Sequence, residues 1–217
     1  MADSLSKWAS TVTKTYSALP HLNGNLLAAI DFETTGTIAG WHEPIQIAIQ
    51  PLNSDLRPLD GVRPFYWDIA PEHIERADGR ATGVHGKNLE ELQLTAPAKD
   101  KIADMLIEWF DRLDLPFEKS LVPLAHNYEF EHGFGKAWLG DALYGKLFFG
   151  HARDAMRYAL SLNDRAVFMG ENPPFNSVSL KSLCNKFSVV NTNPHDALAD
   201  CLAEAEVYRC LLHFDVF

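Results

Sequence analysis

The chain has 217 residues, 47% of them hydrophobic and 22% charged, and a formal net charge of −10 at pH 7. That length and apolar content suffice for one buried core, so a single domain over 1–217 is expected and a disordered chain is excluded. The acidic balance argues against tight binding along an extended nucleic-acid duplex, where affinity comes from neutralising many phosphates. Cys184, Cys201 and Cys210 cannot all pair and lack metal-ligand spacing, so buried thiols in a reducing, cytoplasmic interior are expected. MADSLSKWAS at the start has no signal-peptide apolar run, and nowhere do about 18 apolar residues follow one another, so no membrane span is expected.

Leu5, Trp8, Ala9, Val12, Tyr16 and Leu19 recur at helical spacing and predict an amphipathic helix over about 4–19, ended by Pro20 to Gly24. Three strands follow, Leu26–Glu33, Pro44–Leu52 and Pro64–Ile69; the second alternates, with Ile45, Ile47 and Ile49 on one face. A helix over Ala98–Leu113 carries Ile102, Met105, Leu106, Trp109 and Phe110 on its apolar face. Leu121–His126 reads as a buried strand, Glu129–Leu139 as a helix, Lys146–Phe149 as a short strand and Asp154–Leu160 as a helix. Asn163–Ser177, with Pro173-Pro174, reads as a surface loop, and Ser179–Phe187 and Pro194–Phe214 as closing helices. Strands giving way to alternating helices and strands predict an α/β fold, a mixed sheet flanked by helices.

The first strand ends in Asp31-Phe32-Glu33-Thr34-Thr35-Gly36. Carboxylates at i and i+2 share one face of a strand, and two anions that close are tolerated mainly around a cation. All-oxygen ligation selects Mg²⁺ or Mn²⁺ over zinc. A solvated strand end is the plain alternative. Near the other end lies Pro194-His195-Asp196-Ala197-Leu198-Ala199-Asp200, with His195 expected at the start of the last helix and Asp200 more than a turn further on. A histidine there has the reference pKa to deprotonate a water near neutrality, or is simply a polar residue at a helix start. Between the two lies Ala125-His126-Asn127-Tyr128-Glu129-Phe130-Glu131-His132-Gly133-Phe134, a strand end running into a helix.

Taken in order, Asp-Phe-Glu-Thr-Thr-Gly, His-Asn-x-x-Phe-acid and His-x-x-x-x-Asp resemble the three motifs of the DEDDh exonucleases, relatives of the DNA polymerase III proofreading subunit, RNase T and oligoribonuclease. Gly83-Val84-His85-Gly86, Asp154 and Ser179-Leu180-Lys181-Ser182-Leu183 resemble lesser family features, and the likeness runs from about Leu26 to Leu212. It implies a ribonuclease-H-like fold with a five-stranded mixed sheet, and 3′→5′ exonuclease activity on DNA or RNA that releases nucleoside 5′-monophosphates. It also implies a site of two Mg²⁺ or Mn²⁺ ions, about 3.5–4 Å apart, that stabilise attacking and leaving oxygens. By resemblance, Asp31, Glu33 and Asp200 hold one ion, Asp31 bridges to the other, and His195 is the general base. Glu33 and the backbone at Thr34 and Thr35 meet the terminal 3′-hydroxyl.

The second motif of the family carries aspartate where this chain has Glu131. Glu129 lies two residues away, about 200° round a helix, so only one of the two can face the metals, and the Phe130 spacing selects Glu131. The longer side chain is absorbed at that ligand position or shifts the second ion. Further substrate candidates are Asn127 and, by their chemistry, Trp41 and His42, which stack on a terminal nucleotide or pack as core. Phe134 wedges against a base or lies on a buried helix face. The partner is nucleic acid with a free 3′ end, single-stranded by preference; a homodimer or a polymerase partner fits the resemblance, though no separate polymerase-binding segment stands out. Two rivals are a module that only grips 3′ ends and an accessory subunit of a larger complex.

Overall fold

The structure, a computed structural model, describes residues 20–215, so the helix predicted over 4–19 lies outside the described residues. Five strands, β1 (Leu26–Thr34), β2 (Pro44–Pro51), β3 (Phe65–Asp68), β4 (Leu121–Ala125) and β5 (Arg153–Asp154), form one sheet in the order β3-β2-β1-β4-β5. β1 runs antiparallel to β2 and parallel to β4. The C-terminal ends of β1 and β4 therefore open at the same edge, the usual mouth for ligands in α/β sheets.

Helices cover both sheet faces. On one, Leu26, Ala28, Ile30 and Phe32 of β1 meet Ile102, Leu106 and Phe110 of α3 (Lys99–Asp111) and Phe134, Tyr144 and Leu147 of α4 (Tyr128–Leu147). On the other, Leu27, Ala29, Ala48 and Leu124 receive Ala197, Cys201 and Ala205 of α7 (Ala197–Leu212). Small residues on both sides let α7 lie close, with the Cys201 thiol 3.5 Å from the Ala48 carbonyl oxygen. Because both faces are covered, β2 is buried throughout. Its Gln46, 1% exposed, is kept satisfied by Tyr66, Asp68 and the Ala197 N–H.

Several elements differ from the predicted ones. Lys146–Phe149 is not the fifth strand: α4 continues to Leu147 past a break at Gly140 (φ 74°, ψ 160°), and Phe148 makes one bridge to Leu121. The strand is Arg153–Asp154, too short to carry a period. Helix α5 (Ala155–Phe168) runs well into the predicted loop, because Ala155, Ala159, Leu162 and Ala166 continue one buried face. Helices α1 (Gly79–His85) and α2 (Leu89–Thr95) went unpredicted; both are short, and Leu89 is the one residue buried in either. Their N-caps are Asp78, which accepts from the Arg80 N–H, and Asn88, which accepts from the Glu91 N–H. Finally α7 begins at Ala197, behind its N-cap Asp196, so Pro194 and His195 precede it. α6 (Leu180–Phe187) begins one residue after the predicted Ser179, which caps it.

Candidate active site

On β1 the odd-numbered side chains face α7. Leu27 and Ala29 make that face apolar, and Asp31 and Glu33 then turn it acidic at the sheet's edge. Asp200 enters from the first turn of α7, where Asn191 Nδ2 (2.5 Å) and the His195 N–H (3.2 Å) donate to its two oxygens. Glu131 enters from the first turn of α4 and is 3% exposed. Its neighbour in sequence Glu129 points to solvent, where it pairs with Arg157 at 2.5 Å. Of the two acids, Glu131 is the one turned inward.

His195 is held at φ 67°, a left-handed conformation that non-glycine residues seldom adopt. That turn lets its N–H reach Asp200 Oδ2, while Asp196 caps α7 through the Ala199 N–H and accepts from Tyr66 Oη at 2.5 Å. Ligand atoms of Glu33, His195 and Asp200 lie within 4.8 Å of one another.

The cluster is electrostatically frustrated. Burial, then Asp200, Glu33 and Asp196, raise the Asp31 carboxyl well above the carboxylate range. Glu33 is pushed up to about 7 by burial and Asp200, against the relief given by Lys87. Burial and Asp31 raise Glu131, partly offset by a backbone hydrogen bond from Phe32. Burial also raises Asp200, against the Asn191 and His195 bonds. Asp31 Oδ2 and Glu131 Oε2 are buried acceptors without a partner among the described residues. Buried oxygens left unpaired among like charges are what a bound cation satisfies. The donor set is oxygen-rich and suits Mg²⁺ or Mn²⁺.

A fifth acid went unnoticed in the sequence. Glu204, 0% exposed, stands one helical turn beyond Asp200 and accepts the His126 N–H at 2.8 Å. Burial and then Asp31 and Glu131 raise its carboxyl far above the usual range. Its signal was an i+4 acid on an otherwise apolar helix face.

The substrate candidates divide. Thr34 donates from Oγ1 to the Gly36 carbonyl at 2.6 Å, and Thr35 Oγ1 accepts from the Glu43 N–H at 2.9 Å. The Thr35 N–H also donates to the Glu43 carbonyl and its C=O accepts from the Asp78 N–H, so Thr35 braces the loop. The His42 ring packs so near Gly36 that a Cβ there would lie 2.4 Å away, and its Nδ1 accepts from the Ile38 N–H, making it a loop organiser. Phe134, 1% exposed, belongs to the core beside Phe130 and lies under both the depression beside Trp41 and the groove beside Asn127. Trp41 is 52% exposed, with the Arg76 guanidinium 4.7 Å from its ring centroid, beside a depression of about 190 Å³ that also meets Lys99 and Trp138. Asn127, left-handed at φ 75° with no capping bond from its side chain, lines a shallow groove with Thr37 and Gly133.

An exonuclease family model, RNase T, matches residues 28–208, which contain every carboxylate of the cluster and His195. The chain belongs to the RNase T exonuclease family. Its ribonuclease-H-like fold recurs in E. coli exonuclease I bound to a dT13 oligonucleotide, at 19% identity and TM-score 0.64, covering 86% of this chain and 41% of that one. A zinc-bound E. coli exonuclease I complex with single-stranded DNA gives 20% identity and TM-score 0.65, covering 85% and 40%. Cell-death related nuclease 4 gives 16% identity and TM-score 0.66, covering 87% and 64%. The chain thus spans about two fifths of the exonuclease I chains. No protein of curated function matches the sequence. Among the described residues no helix is long and apolar enough to cross a membrane.

Proposed function

We propose that this exonuclease removes nucleotides one at a time from a free 3′ end of DNA or RNA, assisted by two divalent cations. Asp31, Glu33, Glu131 and Asp200 would hold Mg²⁺ or Mn²⁺. The observation that carries this reading is the convergence of Glu33, His195 and Asp200 within 4.8 Å beside the unpartnered oxygens of Asp31 and Glu131. When bound, the ions supply Lewis-acid stabilisation of the attacking and departing oxygens. His195 takes the proton of the attacking water at a ring nitrogen; the left-handed backbone and the bond from its N–H to Asp200 fix where that ring starts from. Glu33, at the end of β1, accepts from the terminal 3′-hydroxyl. Trp41 offers its open face to a base.

The oligonucleotide in the E. coli exonuclease I structure supports a single-stranded substrate. The zinc-bound form of E. coli exonuclease I supports a metal-dependent reading, although the carboxylate-rich set here favours a harder ion. Matched 5′-labelled DNA and RNA oligomers, digested with Mg²⁺, Mn²⁺ or EDTA, test the proposal. Stepwise shortening that EDTA abolishes and a 3′-phosphate blocks is expected. Cutting of closed circles, or full rate after exhaustive chelation, would overturn it.

A further inference from the structure

The segment from Asp78 to Asn88 is tied to the site but absent from the chemistry above. The Asp78 N–H donates to the Thr35 carbonyl at 2.7 Å, directly behind the first acidic motif. At the far end of α1, Gly86 takes the left-handed C-cap (φ 64°) and reverses the chain between His85 and Lys87. The Lys87 N–H then donates to His85 Nδ1 at 3.0 Å. An Nδ1 that accepts carries no proton, so the neutral ring has its hydrogen on Nε2. Burial and the positive charge of Lys87 both favour that neutral form. His85 Nε2 is buried and has no partner among the described residues. It is a neutral donor without an acceptor among the described residues, within electrostatic reach of His195.

Lys87 brings a full charge to the same place. Its ammonium is 3.3 Å from Asp68 Oδ1 and near enough to Glu33 to oppose the rise of that carboxyl. Asp68 is itself held by Gln46 Nε2 at 2.8 Å, and Gln46 accepts the Ala197 N–H at the start of α7. The ammonium is thus anchored to the sheet by an acid outside the proposed metal ligands, and Asp68 takes one of its three donors.

We propose that His85 Nε2–H and the Lys87 ammonium form a phosphate-oxygen site at the rim of the carboxylate cluster, which holds the phosphate of the nucleotide being released. The inference rests on the exonuclease reading. Both groups donate and neither accepts, which suits the oxygens of a phosphate. A neutral N–H adds no charge to be discharged when the product leaves, whereas the ammonium offsets carboxylates that would otherwise repel a dianion. A charge-assisted bond of this kind supplies roughly tenfold or more in affinity. Because a released monophosphate carries more charge than the diester, Lys87 favours product retention.

Calorimetric titration of the full chain with thymidine and with thymidine 5′-monophosphate, in Ca²⁺ and in EDTA, tests this. Lys87→Gln should weaken monophosphate binding about tenfold and leave thymidine binding unchanged, while Lys87→Arg keeps both. His85→Phe should weaken the monophosphate selectively, and His85→Gln, which retains a donor, should recover part of the loss. Unchanged monophosphate affinity in Lys87→Gln and His85→Phe would overturn the site, as would equal loss for nucleoside and monophosphate. A melting temperature for each variant separates a purely structural Lys87–Asp68 pair, which would move stability without that selectivity. Failure of wild-type protein to shorten oligomers would instead strike the exonuclease reading, since the affinity comparison needs no turnover.

Discussion

The two faces of β1 carry opposite designs. Toward α3 and α4, Leu26, Ala28, Ile30 and Phe32 continue one apolar stripe to the end of the strand. Toward α7 the stripe stops after Ala29, and Asp31 and Glu33 join Asp200, Glu131 and the buried Glu204. One face gains stability from burial; the other holds like charges out of water, at a cost that the proposed cations would remove. Residues two positions apart on one strand should therefore answer mutation in opposite ways.

The largest contrast lies in activity. Asp31→Ala or Asp200→Ala should cut nuclease turnover by more than the roughly 10²–10⁴-fold expected for His195→Ala, since on the proposed mechanism each would remove a metal ligand and not only a proton acceptor. The same two variants should melt above the wild type in EDTA, because fewer like charges remain buried. Lower melting of both would mean that the acids stabilise the fold.

On the opposite face Leu106→Ala, at a fully buried position of α3, should cost about 2–5 kcal/mol by denaturant unfolding. Specific activity per folded molecule should hold. A large activity loss without instability would show the two faces to be coupled.

The pH dependence of the metal-free protein sharpens the comparison. Glu33 rises from 4.5 to about 7 on folding, so between those values the folded chain binds the extra proton. The associated stability is complete below about 4.5 and lost as pH rises through 7, which makes the EDTA-treated protein melt roughly 5–10 °C lower at pH 8 than at pH 5. Mg²⁺ or Mn²⁺ should raise melting more at pH 8 than at pH 5. Equal metal-induced shifts at both values would count against binding at Glu33.

Smallest is the test of the two neighbouring acids on α4. Glu131→Ala should approach Asp31→Ala in severity and Glu131→Asp should stay active. Glu129→Ala, which breaks only an exposed pair with Arg157, should change stability by less than about 1 kcal/mol and leave activity intact. Reversed outcomes would place the wrong acid at the site.

Much of this was legible in the chain. Strand β1 and its terminal carboxylates, the i, i+2 rule that puts them on one face, and the angular argument separating Glu131 from Glu129 all rest on local periodicity. So do the four longer strands and α3, because an apolar period that persists over several residues can be read without knowing the partner. The family motifs in order were likewise visible.

What lay outside that reach depended on neighbours distant in sequence. Arg153–Asp154 is a strand only because β4 is there to pair with it, and Phe134 is core only because α3 and the sheet close over it. His195 takes a left-handed turn that brings its N–H to Asp200, and Thr35 braces the loop through Glu43 and Asp78. Glu204 and the His85–Lys87 pair gained meaning when folding placed them at a site their own segments do not define. Periodicity along the chain determined which faces would be buried and where the acids end the strand; which polar groups have partners, and which are left for a ligand, only the packing of separate elements decided.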